Sequence, residues 1–348
     1  MSNTADRVWR VALLHGGPST EHDISLVSSK GVLQALRACG HVVVPVFVDR
    51  GGRWHIGGDD GAVGVALSDA LALPEALRAL LDLGVDVCFL GFHGIFGEDG
   101  RVQAALELAG LRYTGSGPLA SALAMDKVIA RRVYRGVGLP VAPAIELDSA
   151  GLGTAAGRAE AAARVVEAVG VPCVAKVAAG GSSVGVEIVR DAATLPDVLE
   201  RLAPLWPQVL VERFVAGTEL TCGILAGSEG EQSLPAVEIA PKAGRFFDYE
   251  VKYDPGLVEE IVPARISAAA EAEMRRLALG AHRALGCRGV SRTDAILDHE
   301  GAIWLLETNT LPGLTPASLL PKAAGAAGIA YGPLLERILA AAVAAPSA

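Results

Sequence analysis

The sequence lacks the features that mark secreted and membrane-spanning proteins. Its 348 residues contain five cysteines, which lie far apart and form no C-x-x-C pair. They are expected to be small buried hydrophobic side chains in a reducing compartment. No uninterrupted apolar run reaches the length of a membrane span, and the N-terminus shows no signal-peptide pattern. A cytoplasmic protein with no membrane partner is therefore predicted.

Positive charge is also scarce. The 30 lysines and arginines are outnumbered by 39 acidic residues, so the net charge is −9. This balance argues against nucleic acid as a partner, and an anionic substrate would need locally placed lysines and arginines. The chain has neither G-x-G-x-x-G nor a G-K-[ST] loop that opens a helix, which disfavours a dinucleotide fingerprint and a Walker loop.

Apolar residues, by contrast, make up 51% of the chain, enough for well-buried α/β layers in two or three subdomains. Strands predicted at residues 8–14, 41–49 and 85–90 alternate with helices, which indicates a parallel sheet. Strands at 219–226 and 234–240 indicate an antiparallel sheet further on. One helix is predicted over residues 119–138, whereas 51–73 are Gly-rich and are expected to be irregular.

Residues 291–318 are the most informative stretch. They predict two short strands joined at Glu300-Gly301, where glycine can supply the positive φ of a tight turn. A two-residue loop would pair His299 with Ala302. The period of two then places four polar side chains on one face: Arg292, Asp294, Glu307 and Asn309. The other face is predicted to carry Ala295, Leu297, Trp304 and Leu306.

Opposed carboxylates on a hairpin repel each other unless a cation lies between them. Asp294, Glu307 and Asn309 offer oxygen donors, which suit a hard ion such as Mg²⁺ bridging to substrate phosphates. The alternative is an exposed hairpin whose polar face is merely solvated. The presence of Arg292 on the same face, and of Pro312-Gly313 just beyond it, favours the metal site.

Other polar segments leave two interpretations open. Glu21, in the first turn of a predicted helix, either complements the helix dipole or counters a substrate ammonium. His93, just after a strand, either bonds to nearby backbone or contacts a ligand. The Gly/Ser loop at 178–185 is either a flexible turn or a lid over phosphates, and Lys176 just before it favours the lid. A basic run is typical of a solvated face: Arg131, Arg132 and Arg135.

Taken in order, several segments make the chain resemble the D-alanine–D-alanine ligases, which are ATP-grasp enzymes of cell-wall synthesis. The segments are G-G-P-S-T-E-H-D-I-S (16–25), G-E-D-G (97–100), Y-T-G-S-G (113–117), S-A-L-A-M-D-K (121–127), G-S-S-V-G (181–185), F-D-Y-E-V-K-Y (247–253), S-R-T-D (291–294) and L-L-E-T-N-T-L-P-G-L-T (305–315). In this order and spacing they are highly specific, and they cover nearly the whole chain.

The resemblance implies an α/β fold, α+β in its C-terminal part, with a three-unit ATP-grasp architecture. The implied units are an N-terminal parallel α/β unit (1–118), a central lid (119–211) and a C-terminal unit with the metal and oxyanion site (212–348). It also implies a homodimer. In the implied reaction, ATP phosphorylates the carboxylate of one D-alanine and the amine of a second D-alanine displaces phosphate. Two Mg²⁺ or Mn²⁺ ions are implied on the ATP phosphates.

The resemblance further implies a role for each matching residue. The implied metal ligands are Asp294, Glu307 and Asn309. The implied ATP contacts are Lys127, Lys176, Ser182, Ser183, Val184, Glu212, Val215, Glu219 and Lys252. The implied D-alanine contacts are Glu21, His93, Lys252, Tyr253 and Ser318. Arg292 and the backbone N–H of Gly313 would form an oxyanion hole, and Tyr253 would link to Ser182 and Glu21.

Two other functions are open on the sequence. A sibling ligase would join D-alanine to D-lactate or D-serine, but family members that make the ester replace the tyrosine found here as Tyr253. A non-catalytic ATP-binding sensor would keep Lys127, Lys176 and the Gly/Ser loop. It need not keep Arg292, Glu21 or Tyr253, and all three are present.

Overall fold

The computed structural model describes residues 7–65, 69–180, 185–227, 230–241 and 258–344, and the strands in these ranges form three sheets. The first has the order β3-β2-β1-β4 and contains β1 (Arg10–Gly16), β2 (Val42–Val48), β3 (Trp54–Ile56) and β4 (Val87–Leu90). Strand β1 pairs in parallel with β2 and with β4, which confirms the predicted parallel sheet. The helices α1 (His22–Ala38), α2 (Leu73–Asp82) and α3 (Arg101–Leu108) belong to this part of the chain.

Within the segment 51–73, residues 51–65 are more ordered than the sequence predicts. Strand β3 pairs antiparallel with β2, and Trp54 on it is 1% exposed. The segment then folds back, because Gly64 N–H donates to His15 Nε2 at 2.9 Å and Arg37 Nη2 donates to Gly61 O at 2.9 Å. A three-residue strand between glycines is too short to show a period of two, so the pattern missed it.

The second sheet is antiparallel, with the order β5-β8-β6-β7. Its strands are β5 (Ala144–Asp148), β6 (Cys173–Val177), β7 (Val186–Val189) and β8 (Gln208–Arg213). Helices α6 (Ala155–Ala168) and α7 (Leu195–Leu202) pack against it, and Val165, Leu199 and Leu202 share a buried core with Val209 and Val211. Short 3₁₀ turns lie at Ser149–Leu152 and Ala192–Thr194.

The third sheet is also antiparallel and runs in the order β12-β11-β9-β13-β14, with β10 paired to β9. Its strands are β9 (Gly217–Gly227), β10 (Gly230–Ser233), β11 (Val237–Pro241), β12 (Val258–Ile261), β13 (Val290–Asp298) and β14 (Ile303–Asn309). Helix α8 (Ala268–Leu285) packs against this sheet, and its Met274 and Leu277 share a buried core with the sheet's strands. The C-terminal helices α9 (Leu319–Ala326) and α10 (Tyr331–Ala344) pack into a core shared with β1 and α1.

Among the described residues no single helix is long and apolar enough to span a membrane, and α9 and α10 pass such a test only as a pair bent by 105°. All five cysteines are free thiols. Four are buried, and burial raises the pKa of the Cys88 thiol to about 12. Cys39 is exposed, so the prediction that every cysteine is buried is wrong at that position.

The single helix predicted over 119–138 is wrong. The chain forms α4 (Pro118–Met125) and α5 (Lys127–Gly136), separated by Asp126, whose φ of −90° and ψ of 106° are extended. The Asp126 carboxylate accepts from Val128 N and Ile129 N and so caps α5. Lys127 N donates to Ala178 O at 2.7 Å. The break therefore fixes Lys127 beside Ala178, where the predicted Gly/Ser loop begins.

The hairpin of β13 and β14 has the predicted pairs at its functional end, Asp294 with Glu307 and Arg292 with Asn309. The predicted loop is wrong. Asp298 N donates to Ala302 O at 2.8 Å, so residues 299–301 form the loop and His299 does not pair with Ala302. A β-bulge at Leu306 restores the register.

The same bulge changes the apolar face. Ala295 pairs with Leu305 and Leu297 with Ile303, so Leu305 and Ile303 join Ala295 in the core. The prediction that Trp304 and Leu306 share the face of Ala295 and Leu297 is therefore wrong.

Candidate active site

The predicted metal ligands meet on one face of the β13–β14 hairpin. Asp294 is 8% exposed, whereas the Glu307 side chain opposite it is 35% exposed. Asn309 Nδ2 donates to Asp294 Oδ2 at 3.3 Å. The structure therefore brings these three side chains together, as the period of two predicts.

Asp294 is held by donors on both of its oxygens. Arg292 binds it with two nitrogens, Nε to Oδ1 at 2.9 Å and Nη2 to Oδ2 at 2.8 Å. Thr221, on the neighbouring strand β9, donates its hydroxyl to Asp294 Oδ1 at 2.5 Å. Charge-assisted bonds of this kind fix a carboxylate in one orientation.

Each opposed carboxylate also has a side-chain cation. Arg292 neutralises Asp294, and Lys127 Nζ lies 3.1 Å from Glu307 Oε2. The repulsion that predicts a cation at this hairpin is thus relieved by Lys127 and Arg292. The metal prediction then depends on the donor set itself.

That donor set fits a divalent ion. Two carboxylates and an amide on one face can present hard oxygen donors of the kind that Mg²⁺ prefers. In the part of the chain that the structure describes, no cluster of three or more His, Cys, Asp or Glu side chains forms a closed metal site. An ion bound at Asp294, Glu307 and Asn309 would therefore complete its shell with water and substrate phosphates.

Arg292 is a permanent cation in this site. Burial lowers the pKa of its guanidinium, but the charge and hydrogen bonds of Asp294, with smaller effects from Glu307 and Glu98, raise the pKa above its usual value overall. A guanidinium held in this way is a fixed positive group next to the hairpin face.

The two predicted phosphate-binding lysines lie on different elements that converge. Lys127, at the start of α5, also donates to Gly180 O at 2.9 Å. Lys176, on β6, is 6% exposed and its ammonium contacts Glu212 Oε2. The other Glu212 oxygen, Oε1, lies 2.5 Å from Arg131 Nη1.

Arg131 contradicts the solvated basic face that the sequence predicts. Arg132 and Arg135 are exposed, but Arg131 is 5% exposed and also donates to Ala142 O. The buried Glu212 accounts for the difference, because a buried carboxylate needs cationic partners.

The structure describes only some of the remaining residues predicted to bind ATP or D-alanine. Val215 lies in the turn between β8 and β9 and is half-buried. Glu219 lies on β9 opposite Ile296 of β13. Five predicted residues lie outside the described residues: Ser182, Ser183, Val184, Lys252 and Tyr253.

Glu21 and the loop that carries His93 follow strands β1 and β4 and lie close together. Glu21 caps α1 without a side-chain cap bond. Its carboxylate lies against the glycine that follows His93, because a Cβ on Gly94 would come 2.4 Å from Glu21 Oε2. His93 is 8% exposed and lies 3.0 Å from Ser28 Oγ and 3.6 Å from Glu98 Oε1. Burial raises the pKa of Glu98, His93 lowers it, and the nearby Glu21 charge raises it further.

Gly313 and Ser318 are also neighbours. A Cβ on Gly313 would lie 3.1 Å from Ser318 Oγ, and that hydroxyl lies 2.8 Å from Thr315 Oγ1. His93 and Pro312 line the same small cavity. The His93 loop and the loop that carries Gly313 therefore border each other.

Several buried groups that support the predicted site residues were not identified from the sequence. Tyr134 OH donates to Thr308 Oγ1 at 2.7 Å, and Thr308 Oγ1 lies 2.9 Å from Thr293 Oγ1. Thr221 and Arg131 belong with them, since each binds a predicted site carboxylate. Their partners lie on distant segments, so no local pattern identifies them.

Three sheets of this kind, with Lys127 of α5 paired to Glu307 of the third sheet and Lys176 of β6 paired to Glu212 of the second, define the ATP-grasp class. Two family models match the chain: D-ala D-ala ligase N-terminus over residues 10–116 and D-ala D-ala ligase C-terminus over residues 133–340. The chain therefore belongs to the D-alanine–D-alanine ligase family.

Curated relatives and solved structures agree. The chain is 41% identical over 338 residues to the D-alanine–D-alanine ligase of Anaeromyxobacter sp. strain Fw109-5, covering 95% of this chain and 96% of that one. It is 40% identical over 333 residues to the ligase of Desulforudis audaxviator, covering 95% and 98%. The ligase structure from Bacillus anthracis matches with a TM-score of 0.76 at 31% identity, covering 97% and 98%. The Coxiella burnetii ligase structure, at 23% identity and a TM-score of 0.78 over 97% and 94%, shares the fold.

Proposed function

We infer that this protein uses ATP to join two D-alanine molecules into D-alanyl-D-alanine for peptidoglycan synthesis. The observation that carries the inference is the hairpin face, where Arg292 binds Asp294 and Lys127 binds Glu307. It occurs in a chain that matches ligases of this family along nearly their whole length.

The proposed reaction has two steps. A carboxylate oxygen of the first D-alanine attacks the γ-phosphorus of ATP, and ADP leaves to give an acyl phosphate. The amine of the second D-alanine then attacks the acyl carbon, and the resulting tetrahedral intermediate collapses with loss of a proton and phosphate. The phosphate carries away one oxygen of the original carboxylate. We propose that Arg292 and the Gly313 N–H stabilise the oxyanion of that intermediate.

Asp294, Glu307 and Asn309 are the proposed holders of two divalent ions, Mg²⁺ or Mn²⁺. When bound, such ions neutralise phosphate charge and favour transfer of the phosphoryl group. Thr221 and Arg292 keep the Asp294 carboxylate in place. Tyr134 supports the same hairpin from below through Thr308.

Lys127 and Lys176 are the proposed phosphate contacts, and Glu212 is proposed to hold Lys176 in position. Glu212, Val215 and Glu219 are proposed to contact the adenine and ribose. The further proposed ATP contacts outside the described residues are Ser182, Ser183, Val184 and Lys252.

Glu21 is proposed to bind the ammonium of the first D-alanine, and His93 to lie near the substrate carboxylates. Ser318 is proposed to bind the carboxylate of the second D-alanine, beside Gly313. Lys252 and Tyr253 are proposed to close over the substrates, with Tyr253 linked to Ser182 and Glu21.

We also propose three domains, 1–118, 119–211 and 212–348. The three separate sheets support three units, with strand β8 of the second sheet ending at Arg213, just past the proposed boundary at 211. A cytoplasmic homodimer is the proposed form of the protein.

Competition between D-alanine and D-lactate as second substrate tests the proposed specificity. The purified protein, ATP and Mg²⁺ should give the dipeptide and no ester between about pH 6 and 9, the range over which an amine nucleophile loses its proton progressively. Ester formation in that range would support the sibling ligase. Phosphate release that does not depend on D-alanine would overturn both.

A further inference from the structure

Arg131, Glu212 and Lys176 form a buried triad between α5 and the second sheet. All three are at most 6% exposed. Arg131 Nη1 donates to Glu212 Oε1 at 2.5 Å and Lys176 Nζ forms an ion pair with Glu212 Oε2, so each carboxylate oxygen has its own cation. Glu212 pairs with Val174 across the sheet, and Lys176 follows two residues later on the same strand.

The triad holds one positive charge in excess, because two cations share one carboxylate. Without Arg131, Lys176 and Glu212 would neutralise each other. Charges that are buried together interact more strongly than charges in water, so this internal pairing would compete directly with any other anion for Lys176.

Arg131 is well placed to act only through Glu212. Its second nitrogen, Nη2, donates to the Ala142 carbonyl, which anchors the guanidinium in one orientation. Its sequence neighbour Arg132 instead forms an exposed pair with Glu146, and exposed pairs of this kind contribute little. The chain therefore supplies a matched arginine of the same type that lies outside the triad.

We propose that Arg131 is a positioning residue that neutralises Glu212 and so leaves the Lys176 charge available to nucleotide phosphates. The proposal rests on the phosphate-binding role proposed above for Lys176. It assigns a function to a buried arginine that the reaction itself does not use.

The test is the ratio of adenosine Kd to Mg²⁺–ADP Kd, measured by titration calorimetry on the full chain. Adenosine carries no phosphate, so the ratio isolates the phosphate contribution from adenine and ribose contacts. Arg131→Gln keeps a donor for Ala142 O but removes the charge, and the ratio should fall on the order of tenfold. Arg132→Gln, the matched control, should leave the ratio unchanged.

The double variant Arg131→Gln/Glu212→Gln separates charge from structure. It removes the carboxylate together with the arginine charge, so no carboxylate neutralises Lys176 and most of the ratio should return. If the role of Arg131 is merely structural, the ratio in the double variant should fall further. If Arg131→Gln does not fold, as judged by Tm, Glu212→Gln is the remaining test. This variant leaves Arg131 and Lys176 without their shared carboxylate, so the ratio of adenosine Kd to Mg²⁺–ADP Kd should rise.

The outcomes also separate this proposal from the proposed function. A wild-type protein that binds adenosine and Mg²⁺–ADP equally well would overturn the nucleotide site. A wild-type preference for ADP that persists in Arg131→Gln would overturn the role of Arg131 alone.

Discussion

Replacing Arg292 with alanine should separate its proposed role in catalysis from its role in stabilising the fold. In the reaction it is proposed to stabilise an oxyanion, and loss of one such donor costs about 3 kcal/mol in the barrier, which is roughly a hundredfold in kcat. In the fold it makes two hydrogen bonds to Asp294. Thr221 and Asn309 still hold that carboxylate in the variant, so the loss in unfolding free energy should be about 1–3 kcal/mol.

The assay is D-alanine-dependent phosphate release at saturating ATP and Mg²⁺, with urea unfolding measured in parallel. Arg292→Lys is the matched control, since lysine keeps the charge but not the two-pronged geometry, and its kcat should lie between the other two. An Arg292→Ala enzyme whose kcat lies within about threefold of wild type would remove Arg292 from the mechanism.

Three further predictions concern the hairpin face and a buried histidine. Thr221→Val keeps the side-chain volume but removes the hydroxyl donor 2.5 Å from Asp294 Oδ1. The Mg²⁺ concentration for half-maximal activity should rise roughly tenfold, and Thr221→Ser should restore it. An unchanged Mg²⁺ titration would contradict the role of Thr221 in holding Asp294. Glu307→Ala removes a proposed metal ligand and should abolish phosphoryl transfer, whereas activity with a wild-type Mg²⁺ titration would refute the assignment. Burial lowers the pKa of His15 from 6.5 to about 4, an effect that a backbone bond to Leu13 opposes and His22 reinforces. Because the unfolded chain then binds the proton more tightly, stability is complete above about pH 6.5 and falls by about 3 kcal/mol as the pH drops toward 4. His15→Gln should remove this acid-dependent loss of unfolding free energy, measured by urea unfolding. If the variant loses the same stability between pH 6.5 and 4, another group causes the loss.

The functional end of the hairpin could be predicted because it depends on a period of two. Asp294, Glu307, Arg292 and Asn309 keep their relative faces whatever the loop does, provided that the pairing at that end holds. Gly301 permits either a two- or a three-residue loop, so the loop length could not be predicted. The predicted pairs at the site hold because the longer loop and the bulge at Leu306 offset each other.

Burial of single polar residues could not be predicted in the same way. Arg131 and Arg132 are adjacent and chemically alike, yet only Arg131 meets Glu212, a residue 81 positions further along the chain. Thr221 lies 73 positions before Asp294, and only the pairing of β9 with β13 brings them together. Contacts of this kind depend on tertiary pairing, which a local pattern does not encode.

The break in the predicted helix at Asp126 has the same origin. Residues 119–135 contain no glycine or proline that would end a helix, and the interruption depends on a bridge from Asp126 to Ala179 and on the bond from Lys127 N to Ala178 O. Tertiary hydrogen bonds outweigh propensity there.

The central claim is that the carboxylate of the first D-alanine is activated as an acyl phosphate and then captured by a second D-alanine. The most direct measurement uses D-alanine labelled with ¹⁸O in its carboxylate, together with ATP and Mg²⁺, and analyses the inorganic phosphate by mass spectrometry. The account predicts that each phosphate released with a dipeptide carries one ¹⁸O atom. Unlabelled phosphate, formed while the dipeptide accumulates, would contradict it.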